Sequence, residues 1–403
     1  MNKFQTYFLI ILIICAINFF DLQIIKGSFI RYIQFSYLII AIIMAIPYIF
    51  TKDKGFVMPI QLIVGSVFLS IFIATFSRGQ SLIDSAIGST PLLIWSIFFY
   101  FKHIDYSILK LEKIIIGYGI IYLILYFFQF THPANNYFID LEILDDSRGI
   151  LRIVFPGRGL FYLTTFIAIN KLTESSSNKW FWIFLTIMGI IVTVMQVTRQ
   201  FMFGALLMYI IHFSKNIGFS KKVLVGTIFA GLLVYVLQSD NSIITGLKDT
   251  QEQTQNSGSD YVRIKAAAFF LTDYSALPFH HIFGNGVPYG ANSPYLKFYG
   301  FYIENYGYWL SDVGLVAVYA MFGVVAVLGY ILIWIKSFEY KVPKQFSYLK
   351  YYLWFLLVTC LTSDTIYSPN DLIATVIVIY IYQVIFESTK TFKVDQSNQS
   401  VNV

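Results

Sequence analysis

About twelve apolar runs divide this 403-residue chain, and they leave very few folds open to it. The runs cover 6–20, 32–50, 56–76, 83–101, 114–130, 159–170, 180–198, 201–214, 222–238, 311–335, 351–367 and 371–387. Most approach the roughly 20 residues that cross a hydrocarbon core as a helix, and in lipid every backbone amide must be paired within its own segment. The sequence therefore predicts an all-α polytopic membrane protein with about twelve transmembrane helices in a single integral domain, 1–389. A chain that is 57% hydrophobic and 12% charged is not an ordinary soluble domain. A few runs are marginal: the first holds about fifteen residues, the sixth stops at Asn170-Lys171, and only Arg199-Gln200 separates the seventh from the eighth. The opening Met1-Asn2-Lys3 with Tyr7 to Phe20 has the outline of a signal peptide, but no small-residue cleavage site follows, so it reads as a retained first span.

The loops between these runs sort the basic residues by type. One face carries Lys3, Lys52, Lys54, Lys102, Lys110, Lys113, Lys171, Lys179, Lys215, Lys221, Lys222, Lys336, Lys341, Lys344, Lys350, Lys390 and Lys393, and no arginine. The other carries Arg31, Arg78, Arg148, Arg152, Arg158, Arg199 and Arg263, with Lys26, Lys248, Lys265 and Lys297. Lysine-rich loops stay cytoplasmic under the positive-inside rule, so the arginines face outward. A net charge of +6 spread over short loops in this way does not point to nucleic acid. Guanidinium grips phosphate or carboxylate in a bidentate fork, so outward arginines suggest an anionic substrate handled outside the cytoplasm.

Two external loops are long, about 131–158 and 238–310, and long connections of this kind tend to carry function. The second turns amphipathic from Tyr261 to Phe283, which predicts a helix or two on the outer surface. The polar 390–403 stretch reads as a disordered cytoplasmic tail. No inverted or tandem repeat argues for transporter symmetry. Cys15 and Cys360 both lie within apolar runs and suggest no disulfide.

Arg148, Arg152 and Arg158 crowd the end of the first loop and together favour an anion pocket, with headgroup anchoring as the plainer alternative. Arg199 sits between two spans with almost no loop, a position that marks a functional candidate in a membrane protein. Arg263 follows Asp260 at i+3, which fits a solvated helix pair as well as a site. Asn285 lies in Phe283-Gly-Asn-Gly-Val-Pro-Tyr-Gly290, a glycine turn whose amides could approach a phosphate, although a simple tight turn explains it too. Glu304, Asn305 and Asp312 stand where the chain re-enters the membrane, and a carboxylate there could act as general base to a hydroxyl. His132, His280 and His281 are further bases to consider. The acids Asp140, Glu142, Asp145 and Asp146 lack a compact metal-ligand spacing, so no metal or cofactor is expected.

These features resemble the Wzy-type O-antigen and capsule polysaccharide polymerases, within the clan that also holds the O-antigen ligases. The likeness covers the span order and both large loops. Thr198-Arg199 ahead of a span looks like that clan's Ser/Thr-Arg pair. Arg263 followed by Gly284-Asn-Gly286 is similar to its second-loop arginine and Gly-x-Gly, and Arg152 or Arg158 matches the arginine before the span after the first loop. Glu304-Asn305 ahead of Gly314-Leu315 occupies the place of a polar pair in which ligases typically carry histidine, so Glu304 weakens the ligase alternative.

The resemblance implies a GT-C-like membrane glycosyltransferase in the bacterial cytoplasmic membrane, active on its outer side. It would join undecaprenyl-pyrophosphate-linked glycan donor and acceptor, inverting and without a metal. Arg199 and Arg263 would hold the pyrophosphate with help from Arg148, Arg152 or Arg158, and Asn285 and Asn305 would contact substrate. Glu304 would take the acceptor proton. A chain-length regulator and a flippase are implied partners. The rivals are an O-antigen or teichoic-type ligase, a lipid-linked oligosaccharide flippase and a membrane acyltransferase. The long second loop and the near absence of charge within spans disfavour the flippase, and no early His paired with a spaced Arg supports the acyltransferase.

Overall fold

A computed structural model describes residues 3–25, 27–138, 153–174, 178–196, 198–216 and 261–401. These residues are helical with no strand among them, and the isolated bridge Leu22–Phe138 ties the end of the first helical segment to the first long loop. In chain order the helices are α1 (Lys3–Ala16), α2 (Ser28–Ala45), α3 (Val57–Arg78), α4 (Leu82–Ser89), α5 (Ile97–Ile104), α6 (Ile108–Thr131), α7 (Arg158–Thr173), α8 (Lys179–Met195) and α9 (Arg199–Asn216). After the second loop come α10 (Val262–Thr272), α11 (Pro278–Phe283), α12 (Pro294–Tyr306), α13 (Leu315–Glu339), α14 (Ser347–Thr359) and α15 (Pro369–Val401).

The described residues do not confirm a count of twelve spans. Among the described residues five helices are long and apolar enough to cross a membrane: Phe29–Tyr48, Val57–Arg78, Ile108–Thr131, Leu315–Glu339 and Pro369–Ser388. A sixth arises if Leu82–Ser89 and Leu92–Ile104, bent by 57° at their break, form one span. Lys3–Ala16 and Lys179–Met195 are shorter apolar helices, and the run 222–238 lies outside the described residues. The remaining runs do form helices, but α7 and α14 are only 16 and 13 residues long. Length and apolarity matter less where protein replaces lipid as the neighbour. Arg158 to Asn170 of α7 are all buried, packed against α6, α8, α14 and α15. Its Thr164 hydroxyl donates to the Ile115 carbonyl of α6 at 3.1 Å, and hydroxyl contacts of this kind serve between membrane helices. The backbone of α15 stays helical through Val401, over the stretch expected to be a disordered tail.

The lysines and arginines separate in space as they do in the sequence. At one end of the bundle Lys102 pairs with Asp53 and Glu387, and Lys171 approaches the buried Glu112 at 3.7 Å. At the same end Lys215 and Lys350 both stand over the Trp354 ring. The opposite end gathers Arg78, Arg158, Arg199 and Arg263.

Two devices dock the second loop onto this end. Arg78, at the last turn of α3, donates from Nε to Asn285 Oδ1 at 3.0 Å and from Nη2 to the Tyr274 carbonyl. The rings of Tyr274, Tyr295 and Phe298 surround its guanidinium at 5.1–5.5 Å. The second device is a break in α13. Gly323 adopts φ 75°, ψ −179°, a region open to glycine, and so interrupts the helical hydrogen-bond ladder. The carbonyls of Ala320 and Met321 are then satisfied by the amides of Asn285 and Gly286, at 3.0 and 2.8 Å. Irregular backbone at membrane depth is tolerated when protein supplies such partners.

A Cβ at Gly323 would stand 2.1 Å from the Ile282 carbonyl. Gly323→Ala should therefore cost at least the ~1–3 kcal/mol of a forced backbone conformation, and more as α11 is displaced. A lowered thermal midpoint in detergent is expected, with Gly117→Ala, where a Cβ meets nothing within 4 Å, as the unaffected control.

Candidate functional site

One polar cleft of about 300 Å³ opens at the arginine end. Its walls come from the first turns of four helices far apart in sequence: Arg158 begins α7, Arg199 to Phe201 begin α9, Arg263 lies in the first turn of α10, and Asn370 in that of α15. Val154 and Thr198, with Ser311 and Asp312 just ahead of α13 and Thr362 to Asp364 just after α14, complete it. The first turn of a helix presents amides without intrahelical partners and the positive end of the macrodipole. Four such ends and three guanidiniums at one cleft favour an anion.

The three arginines are not equivalent. Arg158 is buried and held by Asp371, with Nε donating to Oδ1 at 3.4 Å and Nη2 to Oδ2. Its guanidinium also lies 4.3 Å from the Phe201 ring centroid, and Nη2 stands 3.6 Å from Asp364. This closeness depends on Gly159, where a Cβ would meet Asp371 Cα at 2.7 Å and the Tyr352 hydroxyl at 2.9 Å. Arg263 is half-buried and donates to Asp312 at 3.3 Å. Arg199 is exposed and makes no hydrogen bond or ion pair with another described residue.

The residue that closes α8 ahead of Arg199 is held by buried hydrogen bonds. Gln196, fully buried, accepts from the Tyr162 hydroxyl and donates to that of Tyr122, both at 3.0 Å. Next to Arg199, Gln200 Oε1 accepts from the Thr362 hydroxyl at 3.0 Å, which ties the start of α9 to the turn bearing Asp364. The neighbour of the cation is thus tied to the turn after α14, and the Arg199 head is left available.

No protein-family model matches this sequence, and no curated protein matches it with significance. The geometry has to carry the functional argument.

It regroups the residues singled out in the sequence. Arg158, Arg199 and Arg263 come together, and Asp312 joins them. Arg148 and Arg152 lie outside the described residues, as do Asp140, Glu142, Asp145 and Asp146. Glu304 is not at the cleft. It is exposed near the end of α12, which Gly307 terminates in the left-handed region, and it is not among the lining residues. Asn305 is exposed as well and donates to the Phe301 carbonyl of its own helix. Asn285 is fully buried and engaged with Arg78, Ser275 and Ala320, so it is a structural joint and the amides beside it serve α13 instead of a phosphate. The histidines line no part of the cleft. His280 bonds Ser77 at 2.8 Å, and burial, with Arg78 and His281 adding to it, pushes its pKa down to about 4.

Asp364 and Asp371 were missed by sequence reasoning. The available signal was their place in Thr362-Ser-Asp-Thr-Ile-Tyr-Ser-Pro-Asn-Asp371, an acidic turn between two spans on the arginine side.

Proposed function

We propose that the chain is a membrane glycosyltransferase that polymerises polyprenyl-pyrophosphate-linked repeat units into an O-antigen or capsular polysaccharide, on the outer face of the bacterial cytoplasmic membrane. The observation that carries this reading is the cleft into which Arg158, Arg199, Arg263 and four helix N-termini converge, at the end of the bundle away from the lysines. Breaking a sugar–pyrophosphate bond concentrates negative charge on the leaving group, and preorganised cations aimed at that charge lower the barrier. The cleft supports the anion part of the reading, and the resemblance in the sequence supports the glycan part. Arg199 takes the diphosphate, because Arg158 and Arg263 each already face a carboxylate. Those two hold the shape of the cleft and add to its field.

Deleting the gene in its host tests this. Loss of a polymerase leaves single repeat units on the terminal acceptor. Loss of all surface repeats, with lipid-linked units accumulating, would replace this reading with a ligase or a flippase.

A further inference from the structure

With Glu304 away from the cleft, the reaction lacks the proton acceptor expected from the sequence, and the described lining of the cleft offers one. Two described carboxylates line it, Asp312 and Asp364, while Asp371 lies behind Arg158 with a side chain only 1% exposed. Asp312 accepts a hydrogen bond from Arg263 at 3.3 Å. Asp364 has a side chain 29% exposed, and the described cation paired with it, Arg158 Nη2, stands 3.6 Å away, beyond direct hydrogen-bond distance. Its backbone is nevertheless fixed, since its carbonyl accepts from the amides of Tyr367 at 2.9 Å and Ser368 at 2.7 Å at the start of α15. The Thr362–Gln200 bond holds this turn in register with Arg199. Asp364 is thus an available carboxylate on a rigid turn, in the cleft that presents Arg199.

We propose that Asp364 is the general base of the transfer, an assignment that rests on the polymerase reading. The acceptor hydroxyl oxygen forms its bond to the donor's anomeric carbon as its proton passes to an Asp364 carboxylate oxygen. The bond from that carbon to the pyrophosphate oxygen breaks, and its electron pair leaves with the pyrophosphate facing Arg199. Because the nucleophile and the leaving group occupy opposite sides of the anomeric carbon, the product is inverted. Asp312 instead fixes Arg263.

The experiment measures chain elongation in host membranes with their own lipid-linked units, at equal abundance of wild type, Asp364→Asn, Asp364→Glu and Asp312→Asn. Thermal protection of each purified protein by inorganic pyrophosphate is measured in parallel. Asp364→Asn should lower the elongation rate by about 10²–10⁴, the usual range for a lost general base. It should keep its fold and its protection by pyrophosphate. Asp364→Glu should recover part of the rate, and Asp312→Asn should lose less than Asp364→Asn. Elongation by Asp364→Asn within threefold of wild type overturns the assignment. So does loss of pyrophosphate protection in Asp364→Asn, which would make Asp364 a positioning residue for Arg158, and so does a larger loss in Asp312→Asn. If the wild type itself neither elongates glycan nor is protected, the polymerase reading has failed and the assignment falls with it.

Discussion

Replacing Arg199 with alanine is expected to slow glycan elongation by about 10²–10³, the loss seen when one preorganised stabiliser of developing charge is removed. The folded protein should barely change, because Arg199 is exposed and makes no hydrogen bond or ion pair with another described residue. Arg199→Lys should recover only part of the rate, since an ammonium supplies charge without the planar fork that matches two phosphate oxygens. Complementation of a deletion strain at equal membrane abundance reads out both variants as glycan chain length. Wild-type elongation by Arg199→Ala would remove the diphosphate site from this position.

Asp371→Asn is expected to act on stability. It leaves the buried Arg158 guanidinium with a neutral closest partner and only Asp364, at 3.6 Å, as a charged one, and uncoupling a buried ion pair typically costs about 3–5 kcal/mol. Both side chains are almost fully enclosed, at 7% and 1% exposure. Removing both charges, as Arg158→Met with Asp371→Leu, should be milder than the single change, because no lone charge is then left in the interior. Unfolding in detergent mixtures of graded SDS content compares the three proteins. A single variant within about 1 kcal/mol of wild type would mean that the pair is solvated, and a double variant as unstable as the single one would mean that packing at α7 sets the cost.

The helices were legible because lipid imposes the same demand on every span, so that apolar runs such as 56–76 and 114–130 announce themselves. The number of spans was less legible. Composition cannot say whether a short run such as 159–170 faces lipid or, as in α7, other helices. Arg199 could be found from one local fact, a charge between two spans. Its neighbours in the cleft depended on distant partners: Arg158 and Asp371 are 213 residues apart, and Arg78 and Asn285 are 207 apart. Asn285 against Arg78 and Glu304 outside the cleft lining could not be placed from sequence for the same reason, since a polar residue near a glycine turn or a span looks alike whether it meets substrate, solvent or a buried guanidinium.

The break at Gly323 also bears on how the protein is made. Two carbonyls of α13 find their donors in Asn285 and Gly286, which precede that helix in the chain and leave the ribosome before it. On the proposed topology, the partner segment is across the membrane before α13 leaves the translocation channel, and it can close the gap at once. Moving residues 278–290 to a position after α13 would reverse that timetable, and the bare carbonyls would meet lipid first.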